Sequence, residues 1–116
     1  MLDRPKQGTI IYIDFDPSAG SEIRKRRPAV VVSEDILQKT SKFVWVAPIS
    51  HGHCNGRRYP LHVSLDSRTK IDGTIYVEQT KSLDYVTRNW EFVEYLPKDL
   101  LETTLAKAKL VLQLNK

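Results

Sequence analysis

Thr9-Ile10-Ile11-Tyr12-Ile13-Asp14-Phe15 and Pro28-Ala29-Val30-Val31-Val32-Ser33 decide the fold. The first stretch, rich in Ile and Tyr, reads as a strand with both faces at least partly covered. The second reads as a strand over Ala29–Ser33. Pro28 is tolerated at its opening because the ring removes only one donor. Between them, Asp16-Pro17-Ser18-Ala19-Gly20-Ser21 is a cluster of turn residues that ends the first strand. The connecting loop runs on through four consecutive cations, Arg24-Lys25-Arg26-Arg27.

Working outward, Glu34–Lys39 carries Ile36 and Leu37 in a polar setting, enough for one or two helical turns. Phe43–Ile49 is a third strand, with Trp45 at its centre; Trp45 and Trp90 are both expected to pack in the core. Ser50–Tyr59, with Gly52, Asn55 and Gly56, is a loop. Leu61, Val63 and Leu65 alternate with His62 and Ser64, the period of a half-buried strand. Gly73–Gln79 follows as a strand with Ile75 and Val77 on one face and Tyr76 and Glu78 on the other. Trp90–Tyr95 is the last strand. The period then changes: Leu101, Leu105, Ala108 and Leu112 line one helical face. Pro97 suits the first turn, and Asp99 and Glu102 suit its positive end. Five or six short strands and a terminal helix make a mainly β fold, a bent antiparallel sheet or small barrel with helices packed on it.

The 116 residues are expected to form one domain over 1–116. With 41% hydrophobic and 28% charged residues, the chain is not of disordered composition. No apolar run approaches the roughly 18 residues of a membrane span. The first residues lack an apolar signal core, and the single cysteine, Cys54, suits a reducing compartment, so a cytoplasmic location is expected. His51-Gly52-His53-Cys54 offers three ligands with no fourth at a usual spacing, so neither metal nor cofactor is expected. Eighteen Lys and Arg against 14 Asp and Glu give a net charge of +4. The excess is concentrated in Arg24–Arg27 and in Arg57, Arg58, Arg68 and Lys70, a distribution suited to an anionic partner. By composition alone the first run also reads as a solvated basic hairpin.

Gly8-Thr9-Ile10 through Asp14, Pro17, Gly20-Ser21-Glu22 and Arg27-Pro28-Ala29-Val30-Val31-Val32-Ser33 resembles the opening of the MazF/PemK (Kid) toxin family. Ala47-Pro48-Ile49-Ser50 resembles its third-strand end. Gly73, Val77-Glu78-Gln79, Lys81-Ser82-Leu83-Asp84 and Arg88 resemble its later block, so the likeness runs from about residue 7 to 88. It implies an SH3-like, CcdB/MazF-type small barrel with a C-terminal helix. It further implies a cytoplasmic homodimer that cuts single-stranded RNA (mRNA) at short sequences and is held inactive by a cognate acidic antitoxin.

Metal-free RNA cleavage uses the substrate's 2′-hydroxyl as nucleophile. That oxygen must lose a proton, the leaving 5′-oxygen must gain one, and the charge on the phosphorane must be stabilised. Arg27, directly before the proline, matches the family's catalytic arginine, and its planar fork fits phosphate oxygens. Glu22 is either the base or the group that orients Arg27. Ser50 stands where the family usually has Thr and keeps a hydroxyl for phosphate. Some PemK-like members use a histidine, an arginine and an aspartate at positions that here hold Ser21, Tyr76 and Glu78, so the Glu22/Arg27/Ser50 version is the expected site. Ser21, Lys25, Arg26, His51, Arg57, Arg58, Glu78 and Gln79 are the expected RNA contacts, with Glu78 suited to accept from a base amine. Two other readings use the same architecture: a CcdB-like toxin that inhibits gyrase, and an SH3-like nucleic-acid-binding module without catalysis.

Overall fold

The computed structural model describes residues 3–15, 26–52 and 59–114. Strands β1 (Thr9–Asp14) and β2 (Arg26–Val31) pair antiparallel, with Ile10 opposite Val30 and Asp14 opposite Arg26. A short helix, α1 (Asp35–Thr40), leads to the long strand β3 (Phe43–Ser50). Then come β4 (His62–Ser64), β5 (Thr74–Tyr76), a 3₁₀ turn (Val77–Gln79), β6 (Lys81–Asp84), β7 (Glu91–Tyr95) and α2 (Lys98–Leu112). The strands run in the order β4-β5-β3-β2-β1-β7, with β6 also on β3, and every pair is antiparallel. The sheet is open, and it turns a corner at β3.

β3 makes the corner because it changes partners along its length. Its first half, Phe43–Val46, pairs with β6; its end, Ile49–Ser50, pairs with β5. Pro48 falls in the gap between these partners, where a residue without an N–H costs no ladder bond. The sheet buries both faces. On one, Ile10, Val30, Ala47, Ile49, Val63 and Ile75 meet Leu101, Leu105 and Ala108 of α2. On the other, Ile11, Ile13, Ala29, Val31, Val44, Val46 and Leu83 cluster under Phe15, Tyr85 and Trp90. The unbroken apolar runs of β1 and β2 follow from this double burial. Gly8, at φ +86°, lets α2 close on the sheet: a Cβ there would lie 2.7 Å from Leu101 Cδ2.

Several sequence expectations need correction. β2 starts at Arg26, so the last two loop cations lie on a strand. Gly73–Gln79 is a strand only over Thr74–Tyr76, because the chain then winds into a 3₁₀ turn closed by Thr80, whose N–H and hydroxyl both donate to the Val77 carbonyl. A seventh strand, β6, is present. Trp45 is 41% exposed: it shares the α2 side of the sheet with Ala47 and Ile49 but lines the open groove beside Leu105, Ala108 and Leu112. Trp90 is half-buried, edge-on to Tyr85. Leu112 is 70% exposed, since α2 outruns the sheet it covers. Pro97 sits just before α2 as its N-cap rather than in the first turn. Arg68 belongs to no open basic region: its guanidinium bonds Asp66 and Asp99.

Candidate functional site

The β2–β3 ladder runs from Val31↔Val46 to Ala29↔Pro48 and stops there. Carried two residues further, the same register sets Arg27 opposite Ser50 at the mouth where the strands part. Residues that oppose each other across antiparallel strands share a face, with Cβ atoms about 5 Å apart. That face is the one opposite α2, because Ile13, the partner of Arg27 on β1, belongs to the cluster with Val44 and Val46. Arg27 is exposed and meets no carboxylate among the described residues. Ser50 is half-buried and lies opposite Thr74.

The Ser50 corner is held by close contacts. Gly73 (φ +133°) lies against it so tightly that a Cβ would sit 2.2 Å from the Ser50 carbonyl oxygen. Any side chain there would push the strand end away. Thr74 Oγ1 donates to the Gly52 carbonyl at 2.6 Å, fixing the start of the loop that carries exposed His51.

Arg26 differs from its neighbour. Its guanidinium donates to the Asn89 carbonyl at 2.6 Å, bonds the Glu91 carboxylate, and lies 5.6 Å from the Tyr12 ring centroid. Beside it, Asp14 is buried and accepts from Asn89 Nδ2 at 3.3 Å, while Arg88 Nη1 donates to the carbonyls of Asp14 (3.1 Å) and Phe15 (3.3 Å). These bonds pin both strand ends that flank the basic loop. Glu78 and Gln79 are exposed on the 3₁₀ turn. Ser21, Glu22, Lys25, Arg57 and Arg58 lie outside the described residues.

Sequence reasoning missed one constellation on the same face. His62 of β4 stacks between Tyr59 and Tyr76, and its Nε2 lies 2.8 Å from Glu78 Oε2. The alternation of Leu61, Val63 and Leu65 does orient His62 away from the core, but only the β4–β5 register brings it to Tyr76 and Glu78. It also missed the Asp14–Asn89 bond, for which the only sequence signal was a carboxylate at the end of an apolar strand.

Residues 6–112 match the family described as PemK-like, MazF-like toxin of type II toxin–antitoxin system. The chain belongs to this family. It is 32% identical over 84 residues to the endoribonuclease toxin MazF of Escherichia coli K12, covering 72% of each protein. Its fold is similar to the crystal structure of MazF from Deinococcus radiodurans, with a TM-score of 0.80, 27% identity, and coverage of 94% of this chain and 96% of that one. A structure of the Deinococcus radiodurans MazE–MazF complex aligns equally well, at TM-score 0.80 and 27% identity, covering 93% and 95%. The open sheet with a C-terminal helix is thus the toxin fold. No helix among the described residues is long and apolar enough to cross a membrane.

Proposed function

We propose that this chain is an endoribonuclease toxin that cuts single-stranded RNA without a metal, by attack of the substrate's own 2′-hydroxyl on the adjacent phosphodiester. What supports this most is the β2–β3 register, which carried on past Ala29↔Pro48 brings Arg27, meeting no carboxylate among the described residues, toward Ser50 at the strand mouth. A guanidinium whose donors are not all taken by carboxylates offers the rest to phosphate oxygens. It stabilises the charge that develops as the phosphorane forms. The Ser50 hydroxyl adds a neutral hydrogen bond to the same phosphate. Glu22 serves as the base or as the orienter of Arg27. Lys25, His51, Arg57 and Arg58 supply further phosphate contacts, with Ser21 and Gln79 at the edges of the site. Arg26, held by Glu91 and the Asn89 carbonyl, anchors the loop.

The same reading makes the protein a cytoplasmic homodimer, inhibited by an acidic antitoxin whose carboxylates meet the cations that otherwise meet RNA. A second copy fits on the α2 side. Trp45, Ile36, Leu112 and Leu114 are exposed around an open apolar groove of about 730 Å³, on the face away from Arg27 and Ser50. Exposed apolar patches of this kind mark interfaces, and pairing there leaves Arg27 and Ser50 open, with Glu78 at the edge of the paired face. Sedimentation should give about twice the 13.4 kDa chain mass, and Trp45→Lys should return a monomer. A wild-type monomer at micromolar concentration would remove the dimer.

The test of activity is incubation with a long single-stranded RNA in excess chelator. Discrete fragments with 5′-hydroxyl and 2′,3′-cyclic or 3′-phosphate ends are expected. Retardation without cutting would leave only a binding module. Cutting that stops in chelator and returns with magnesium would overturn the mechanism.

A further inference from the structure

The face that carries Arg27 and Ser50 continues across the corner onto β5 and β4. Ser50 opposes Thr74, Thr74 opposes Ser64, and Tyr76 opposes His62, so these side chains lie opposite the buried Ile49, Ile75 and Val63. His62 is clamped there. Its ring centroid is 5.0 Å from Tyr59 with planes 9° apart, and 4.1 Å from Tyr76 with planes 30° apart. Its side chain is only 7% exposed.

A carboxylate only accepts, so the 2.8 Å contact to Glu78 Oε2 requires the proton on Nε2. Nδ1 is buried with no hydrogen-bond partner among the described residues. A buried, unpartnered ring nitrogen is costly, so the stacking and the Glu78 contact must offset it. What the ring does there is hold Glu78. That glutamate is 38% exposed on a 3₁₀ turn, a setting in which its rotamers would ordinarily be free. One oxygen is tied to a wedged ring, and the other has no partner on the chain among the described residues.

Position decides what this acceptor can reach. Tyr76 is one same-face step beyond Thr74, about 7 Å at the usual strand rise, and Glu78 lies beyond Tyr76. A phosphate bound between Arg27 and Ser50 is therefore out of its reach, while the base of a neighbouring nucleotide is not. At the position that is N6 in adenine, N4 in cytosine and O6 in guanine, a single fixed carboxylate oxygen accepts from the amine of A or C and not from guanine, whose N2 lies elsewhere on the base. The same oxygen repels the O4 that uracil presents in the same place.

We propose that His62 is a positioning residue that fixes Glu78 as the acceptor for the amino group of an adenine or cytosine next to the scissile bond. This rests on the endoribonuclease reading for its substrate. Its test uses short single-stranded oligoribonucleotides with 2′-O-methyl groups throughout, which bind but cannot be cut, with A, C, G or U placed at each position in turn. Wild type should favour A or C over U at one position by about tenfold. His62→Phe, which keeps an aromatic ring in the stack, and Glu78→Gln should each reduce that ratio to about twofold or less. Affinity for the U-containing oligonucleotide should hardly change. A wild type with no base preference overturns the proposal. So does a preference that survives both variants, or a loss in the Glu78→Gln protein that is equal for all four bases. Should His62→Phe not fold, Glu78→Gln alone decides. Cutting of the unmethylated oligonucleotide by wild type is read separately. Preference without cutting would sink the nuclease reading and leave the base contact standing.

Discussion

Two arginine-bearing regions differ in one respect. At the corner beneath α2, Arg68 donates to both oxygens of Asp66 and, through two nitrogens, to both oxygens of Asp99, at 2.9 to 3.3 Å. At the β2–β3 mouth, Arg27 meets no carboxylate among the described residues. The first arginine fastens the 66–72 connection to the start of α2. The second finds no such anion among the described residues. Both look alike as counted charges; what separates them among the described residues is whether an anion is supplied. Arg26 falls on the structural side despite adjoining Arg27, because Glu91 and the Asn89 carbonyl reach it from β7.

The contrast is broken most directly by removing each arginine in turn. Arg27→Ala should lower the cleavage rate at saturating RNA by about 10²–10³, the usual cost of losing one donor to developing charge. Arg68→Ala should leave that rate within about twofold, since its partners lie on the chain. Arg27→Lys should rescue poorly, because a point charge does not replace the planar fork. Near-normal turnover in Arg27→Ala would make Arg27 a binding residue only.

A smaller effect is expected at Ser50. Ser50→Ala should cost about tenfold, because a neutral hydrogen bond contributes less than a charged one. Ser50→Thr should match or exceed wild type, as a β-branched side chain holds its hydroxyl more stiffly. A Ser50→Ala loss as large as that of Arg27→Ala would give the hydroxyl a larger share of the chemistry than a neutral contact can supply.

Salt dependence sharpens the comparison between adjacent residues. Each phosphate contact to a single strand contributes about 0.7 to the log–log slope of binding against salt. Arg27→Ala should flatten the slope by about that amount, and Arg26→Ala should not, because its charge is already matched by Glu91. Equal flattening by both would show that the Glu91 pair opens to release Arg26 to RNA.

The fold was most legible where burial is two-sided. β1 and β2 announce themselves as unbroken apolar runs, and α2 by its change of period. β6 was missed because Leu83 is its one inward apolar residue, too little for a period to register. Trp45 was misassigned because alternation puts it on the same covered face as Ala47 and Ile49, and only its place at the groove beside α2 leaves it open. At the candidate site, Arg27 and Ser50 are proposed from the blocks around them, and the β2–β3 register is consistent with their sharing a face. The difference between Arg26 and Arg27 was not legible in the sequence, because it depends on partners 63 and 65 residues away. The His62–Glu78 pair likewise needs the β4–β5 register before its members meet.

The smallest effect belongs to the matched corner, and its sign follows from the carboxylates. The Arg68 side chain, followed by the Arg68 N–H, holds Asp66 down to about 2 from its ordinary 3.8; Asp99 is lowered by the same guanidinium. A carboxyl held below its unfolded value contributes stability above the unfolded value and loses it as pH falls through the folded one. The contribution is therefore complete at neutral pH and fades from about pH 4 toward 2. Arg68 is itself raised, so it stays charged across this range and adds no dependence of its own. Both pairs are solvent-exposed, so the stabilisation is small and weakens with salt. Thermal melts of wild type and Arg68→Ala should show a modest gap between midpoints at pH 6–7 that narrows from pH 4 to 3. Added salt at pH 7 should narrow it likewise. A gap that ignores both pH and salt would assign Arg68 to packing of its aliphatic stem against the corner. The contrast with Arg27 would then be one of burial rather than of charge matching.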